Sequence, residues 1–217
     1  MKTTIAILLC SLLTAPAFSA VITTQHFGTQ AEVDAHVIGG YEFFARGDTD
    51  KLRITRAAPP AMAELPFPLW NNGVPHAFKV VYNAGGIAGI SIDDLYTIQE
   101  PVNIRPDTNG LLITALAAGQ GRSVLVNNLI ITLPGFIMHP VANAAAAPNT
   151  DYLLVTTDLP LAGGFILSGT VTFNWAGAKP PPFEQWFEVA PVVVPEPAAG
   201  LLVTAGLLLA GRRRRSC

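Results

Sequence analysis

Few residues in this 217-residue chain are typed and spaced for chemistry, and most of them compete with plainer roles. Asp48 and Asp50, and the adjacent Asp93 and Asp94, offer carboxylate oxygens of the kind Ca²⁺ takes, a hard cation abundant outside cells. Asp107-Thr108-Asn109-Gly110 looks like a fragment of a calcium loop, but no glutamate follows at loop spacing. His26, His36, His76 and His139 show neither H-x-H nor H-E-x-x-H spacing, so no metal site is read from them. Glu42, Glu100, Glu184 and Glu188 would serve glycoside hydrolysis only if two of them faced each other across a cleft, which spacing does not decide. Ser91, in Gly89-Ile90-Ser91-Ile92-Asp93, lacks the second glycine of a nucleophile elbow. Gly119-Gln120-Gly121 lacks the third glycine of a dinucleotide loop, and Arg46-Gly47-Asp48 is a three-residue match expected by chance.

The elements that would position these residues read as strands. From Val21 to about Ala178, short apolar runs are separated by Gly, Pro, Asn and Asp. The expected strands are Gly40–Ala45, Lys51–Thr55, Ala77–Tyr82, Ile87–Ile92, Leu95–Gln99, Leu111–Leu116, Val124–Leu133, Tyr152–Thr157 and Phe165–Trp175. In Thr170–Trp175 the alternation puts Val171, Phe173 and Trp175 on one face and Thr170, Thr172 and Asn174 on the other. The stretch from Pro59 to Pro75, with five prolines in 17 residues, reads as a loop under which Leu65, Phe67, Leu69 and Trp70 pack. Ala144–Ala147 reads as a helical turn stopped by Pro148. The pattern predicts an all-β domain: an antiparallel, jelly-roll-like β-sandwich over residues 20–178. Residues 179–194, opening on Lys179 and three prolines, read as an extended spacer. Phe183, Trp186 and Phe187 are expected on a last edge strand or near a membrane interface.

Both ends read as targeting segments. Residues 1–19 carry a basic Lys2, an apolar Ile5–Leu13 run and small Ala17 and Ser19 at −3 and −1 of a cleavage site after Ser19, the pattern of a secretory signal helix. At the other end, 14 uncharged residues between Pro197 and Arg212 would make about 21 Å of helix. With Val192–Val194 added and the arginines reaching outward, that approaches the ~30 Å hydrocarbon core. Four consecutive arginines keep the C-terminus cytoplasmic. Both cysteines, Cys10 and Cys217, lie in these segments, so the body between them must be held by packing alone. That body carries eight Lys and Arg against fourteen Asp and Glu, near −6, which disfavours nucleic acid as a partner.

Val194-Pro195-Glu196-Pro197, a short apolar helix and a terminal arginine block, in that order, resemble the PEP-CTERM sorting signal. The resemblance covers about 23 residues, 195–217. It implies export by a Gram-negative bacterium and handling by an exosortase, a membrane protease or transpeptidase. Pro195, Glu196 and Pro197 would then be the recognition motif, and Arg212, Arg213, Arg214 and Arg215 the cytoplasmic stop. The motifs weighed above leave the ectodomain read as non-catalytic and without cofactor, and the resemblance implies association with extracellular polysaccharide or matrix once the tail has been processed. Its partners would be the exosortase and export machinery, the membrane through the tail helix, and polysaccharide. The alternatives are an exported polysaccharide-acting enzyme on the same scaffold and a calcium-stabilised adhesin.

Overall fold

The computed structural model describes residues 20–38, 41–67, 70–135 and 137–195. The signal segment, Glu196, Pro197 and Arg212 to Arg215 lie outside the described residues. No helix among the described residues is long and apolar enough to cross a membrane.

Among the described residues fourteen strands and one short α-helix, with a single 3-10 turn at Leu161–Gly163, follow in order: β1 (Ile22–Phe27), α1 (Gln30–Asp34), β2 (Phe43–Asp48), β3 (Lys51–Arg56), β4 (Ala61–Pro66), β5 (Pro75–Asn83), β6 (Ile87–Ile92), β7 (Tyr96–Pro101), β8 (Gly110–Ala117), β9 (Arg122–Leu133), β10 (Ile137–Pro140), β11 (Ala144–Ala146), β12 (Thr150–Thr157), β13 (Gly164–Trp175) and β14 (Gln185–Val192). They form two antiparallel sheets. The first runs β1-β12-β8-β14-β2-β3-β4; the second runs β10-β9-β13-β5-β6-β7, with β11 also paired to β9. The sheets face each other over one shared apolar core, as expected for a β-sandwich. Phe43, Phe67, Phe173 and Phe187 are fully buried in it.

Alternation decides which side chains enter that core. On β8, Leu111, Ile113 and Ala115 join the shared core, while Leu112 packs in a separate cluster on the outer face. That outer cluster joins Phe27, Val33, Leu112, Leu154 and Val192, with α1 supplying Val33. The five-residue helix holds there through a capping box: Thr29 accepts from the Glu32 N–H, and the Glu32 carboxylate accepts from Thr29 N–H at 3.0 Å.

Four expectations are corrected. The span 179–194 is not a spacer throughout, because β14 lies inside the first sheet between β8 and β2. Phe187 is therefore a core residue and not an edge or membrane-facing one. Pro191, which would ordinarily mark an edge, is tolerated. The Val192 carbonyl faces β8 and accepts from Asn109 N–H, so Pro191 faces the other side, where β2 pairing has ended at Val189. Within the proline-rich Pro59–Pro75 stretch, β4 pairs with β3 along its full length, although Phe67 and Trp70 do pack beneath as expected. Ala144–Ala146 is strand rather than helix, since its small side chains fit against Val124 and Val126 of β9.

The chain enters and leaves at one pole. Val21 exchanges hydrogen bonds with Asp158 just past β12. Two strands away, Asn109 clamps the exit: its Nδ2 donates to the Val194 carbonyl at 3.0 Å and its Oδ1 accepts from Val194 N–H at 2.8 Å. Next to it, a side chain on Gly110 would meet Val194 at 2.8 Å. Asn109→Ala should lower stability by about 1–2 kcal/mol. In hydrogen exchange the Val194 amide should open first, with β14 itself still protected.

Candidate functional site

Over β1, β12, β8 and the pole end of β14, α1 and its apolar cluster cover the first sheet's outer face, reaching Phe27 and Tyr152 at the far end of β1. Beside that cover, over β14, β2, β3 and β4, register assembles a site that no local stretch of sequence contains. Tyr152 stands opposite Thr114, Thr114 opposite Glu188, Glu188 opposite Arg46, Arg46 opposite Arg53, and Arg53 opposite Glu64. One polar row thus crosses six strands.

Glu188 is 8% exposed, and burial pushes its pKa up against the opposing pull of Arg46. Arg46 holds it through Nε at 2.7 Å and Nη2 at 2.5 Å. Arg53 Nε donates to Glu64 at 2.7 Å, and Lys51 Nζ reaches the same carboxylate at 3.3 Å. Aromatic rings sit against the cations: the Arg46 guanidinium lies 4.3 Å from the Trp186 ring centre, and Arg53 lies 5.1 Å from that of Phe183. Phe183 adopts φ 70°, a conformation costly for a bulky residue, at about 1–3 kcal/mol. Between Arg46 and Arg53 opens a cleft of about 230 Å³, lined also by Phe44, Thr55 and Glu188. Larger clefts lie on the second sheet. One of about 400 Å³ near Tyr82 and Pro134 carries no charged side chain, and one of about 280 Å³ lies over Lys79 and Ser168.

The residues singled out from sequence are dispersed. Glu184 pairs with Arg122, Glu100 lies 3.8 Å from Arg56, and Glu188 belongs to the row above. His26 contacts Asp151 at 3.1 Å, and His36 donates to the Glu32 carbonyl at 2.8 Å. His76 contacts Asp93 at 2.7 Å inside an aromatic cluster of Phe67 and Trp70, and His139 is on β10. Asp93 and Asp94, at φ 52° and 53°, form the tight turn between β6 and β7. Among the described residues no three His, Cys, Asp or Glu side chains converge on a point where a metal ion would sit. Arg46-Gly47-Asp48 is not a presented loop. It ends a central strand, with Gly47 packed under the Phe187 ring and Asp48 buried. Pro195 is exposed just past the Val194 clamp. Sequence reading missed Arg46, Arg53, Glu64 and Trp186 as a group. The signal available was their shared out-facing parity on strands, which tells which face but not which neighbours.

No known family model matches the chain, and no curated protein matches it.

Asp48 and Asp50 do form a pair, at the turn between β2 and β3. Asp48 is 1% exposed, and its Oδ1 accepts from the Asp50 and Lys51 amides at 3.1 and 3.2 Å. Asp48 Oδ2 and Asp50 Oδ1 are buried without another partner. Burial, and then the hydrogen-bonded Asp50 carboxyl, raise the Asp48 pKa to about 6 from 3.8. The folded state therefore holds this proton more tightly than the unfolded chain. The stabilisation is fully present below about pH 4 and is lost as pH rises through about 6. In Asp48→Asn the amide would donate where the shared proton does now. It should be more stable than wild type at pH 7 by about 1–3 kcal/mol, the gap closing near pH 4 in thermal melts at matched ionic strength.

Proposed function

We propose that this is an exported, C-terminally sorted, non-catalytic protein whose sandwich is a jelly roll, displayed at the surface of a Gram-negative cell and associated with extracellular polysaccharide. The jelly-roll reading rests on four antiparallel pairs: β2 with β14, β5 with β13, β8 with β12, and β9 with β10. One long hairpin wound into two layers produces such pairs, with β1, β3-β4 and β6-β7 added at its borders.

The observation that carries the sorting reading is the common pole. A body whose first described residues and whose exit at Val194 emerge together suits removal of a leader and attachment through a tail. The polar row of the outer face then stands back from the attachment. Along β14, at about 3.3 Å per residue, Trp186 lies six residues from Val192 at the pole and Glu188 of the row lies four. The tail motif Pro195, Glu196 and Pro197, followed by an apolar run and Arg212 to Arg215, supplies the recognition and stop elements by its resemblance to PEP-CTERM signals. A non-catalytic role is favoured because Glu188, the most buried of the four glutamates, is committed to Arg46.

Intact mass of the protein recovered from the native host's envelope and medium tests this. A mass lacking residues 1–19 and the region after the Pro195–Pro197 motif is expected. A mass that retains the arginine block would refute exosortase processing and leave a plain membrane anchor.

A further inference from the structure

The outer face over β2 and β3 brings together three of the eight cations in the body, Arg46, Lys51 and Arg53, on a protein that is otherwise acidic. Arg46 and Arg53 stand directly opposite each other on β2 and β3, an arrangement that like charges make unfavourable. Each is neutralised from its outer side, Arg46 by Glu188 and Arg53 by Glu64. A guanidinium has five N–H donors, so donors remain on both for the 230 Å³ cleft between them. That cleft is smaller than those that enclose drug-sized ligands, about 300–1,000 Å³, and so takes one charged unit of a longer chain.

Building on the polysaccharide association above, we propose that this cleft binds the carboxylate of an acidic sugar unit within a polysaccharide. Arg46 and Arg53 grip the carboxylate in the two-pronged manner that planar guanidinium favours. Thr55 and Glu188 line the same cleft and meet the neighbouring sugar hydroxyls, while Phe44 offers an apolar floor for ring C–H groups. A doubly charged phosphate fits less well, because Glu188 and Glu64 flank the two arginines and would repel it. The strained Phe183 braces the arrangement by laying its ring beside Arg53 and Lys51. Trp186 does the same for Arg46.

Calorimetry on the full chain in detergent micelles, with polygalacturonate, neutral dextran and inorganic phosphate as probes, tests the site. Polygalacturonate should bind and the other two should not. Arg53→Gln should weaken polygalacturonate binding about tenfold, the loss of a charge-assisted hydrogen bond. Arg53→Lys, which keeps the charge but loses the fork, should fall between. Lys79→Gln, on the opposite sheet, should bind as wild type does. Both Arg53 variants should melt as wild type does; if Arg53→Gln does not fold, the Arg53→Lys result decides. Equal binding of dextran, preferential binding of phosphate, or wild-type affinity in the Arg53 variants would overturn the assignment. Co-sedimentation with the host's own polysaccharide separates the two claims. Retention there without polygalacturonate binding removes this site and keeps matrix association. No retention removes the association on which the site rests.

Discussion

The first sheet depends on its last strand. Among the described residues β14 alone joins β8 to β2, and without it the sheet is two fragments, β1-β12-β8 and β2-β3-β4. Its inward residues do the joining. Phe187 packs over Gly47, where no side chain would fit, and meets Phe78 of the facing sheet at 4.9 Å between ring centres. One step away, Gln185 is fully buried and donates to the carbonyls of Ser123 and Asn174, both on the second sheet, at 3.0 and 2.7 Å. The same eight residues therefore complete one sheet and fasten it to the other. Because these pairings are non-local, they carry a large loop-closure cost before they are rewarded. The fold closes only after nearly the whole body has been synthesised.

That arrangement also changes what precedes the tail. A polyproline spacer would have held the sandwich at a distance on a semi-rigid stalk. Instead the sheet runs to Val192, Val193 still pairs with Ile38, and Asn109 clamps Val194. The proposed sorting motif begins at the next residue. Whatever receives Pro195 onward meets a folded edge directly, so the pole itself, including Asn109 and Asp158, forms part of the surface presented there. The three prolines at 180–182 serve the opposite end, where the Pro180 carbonyl accepts from the buried Thr49 hydroxyl.

Much of the sandwich was legible because the strands that form its middle are short apolar runs bounded by Gly, Pro, Asn and Asp, with clean alternation in Thr170–Trp175. Ile87–Ile92 was read to the residue, and Leu111–Leu116, Val124–Leu133 and Phe165–Trp175 to within two residues at each end. β14 was illegible for a local reason. It follows three prolines, carries Glu188 and Pro191 in its interior, and is buried on both faces near its end, so neither alternation nor composition marks it. β1 was hidden by Thr23, Thr24, Gln25 and His26, polar because it is an edge strand. The row across the outer face was out of reach for a different reason. Its members, from Arg46 to Glu188, are brought together by register between strands far apart in the chain, and register is tertiary information.

The row also violates several rules that the rest of the molecule obeys. It places two arginines directly opposite each other, buries a carboxylate whose pKa burial raises, and holds a phenylalanine at φ 70°. None of these is needed to build the core, which lies on the other face of the same strands. A buried ion pair such as Arg46–Glu188 is weak evidence for stability, since a well-packed apolar pair of similar volume would serve as well or better. The nearby Leu112, Leu154 and Val192 show that this same face accepts apolar residues where α1 covers it. Local costs that the fold does not require, gathered in one place, are what a site selected for something other than folding produces. The polar side of the face, over β2, β3 and β4, therefore fits the ligand site proposed for it, and the side under α1 is accounted for by what it packs against.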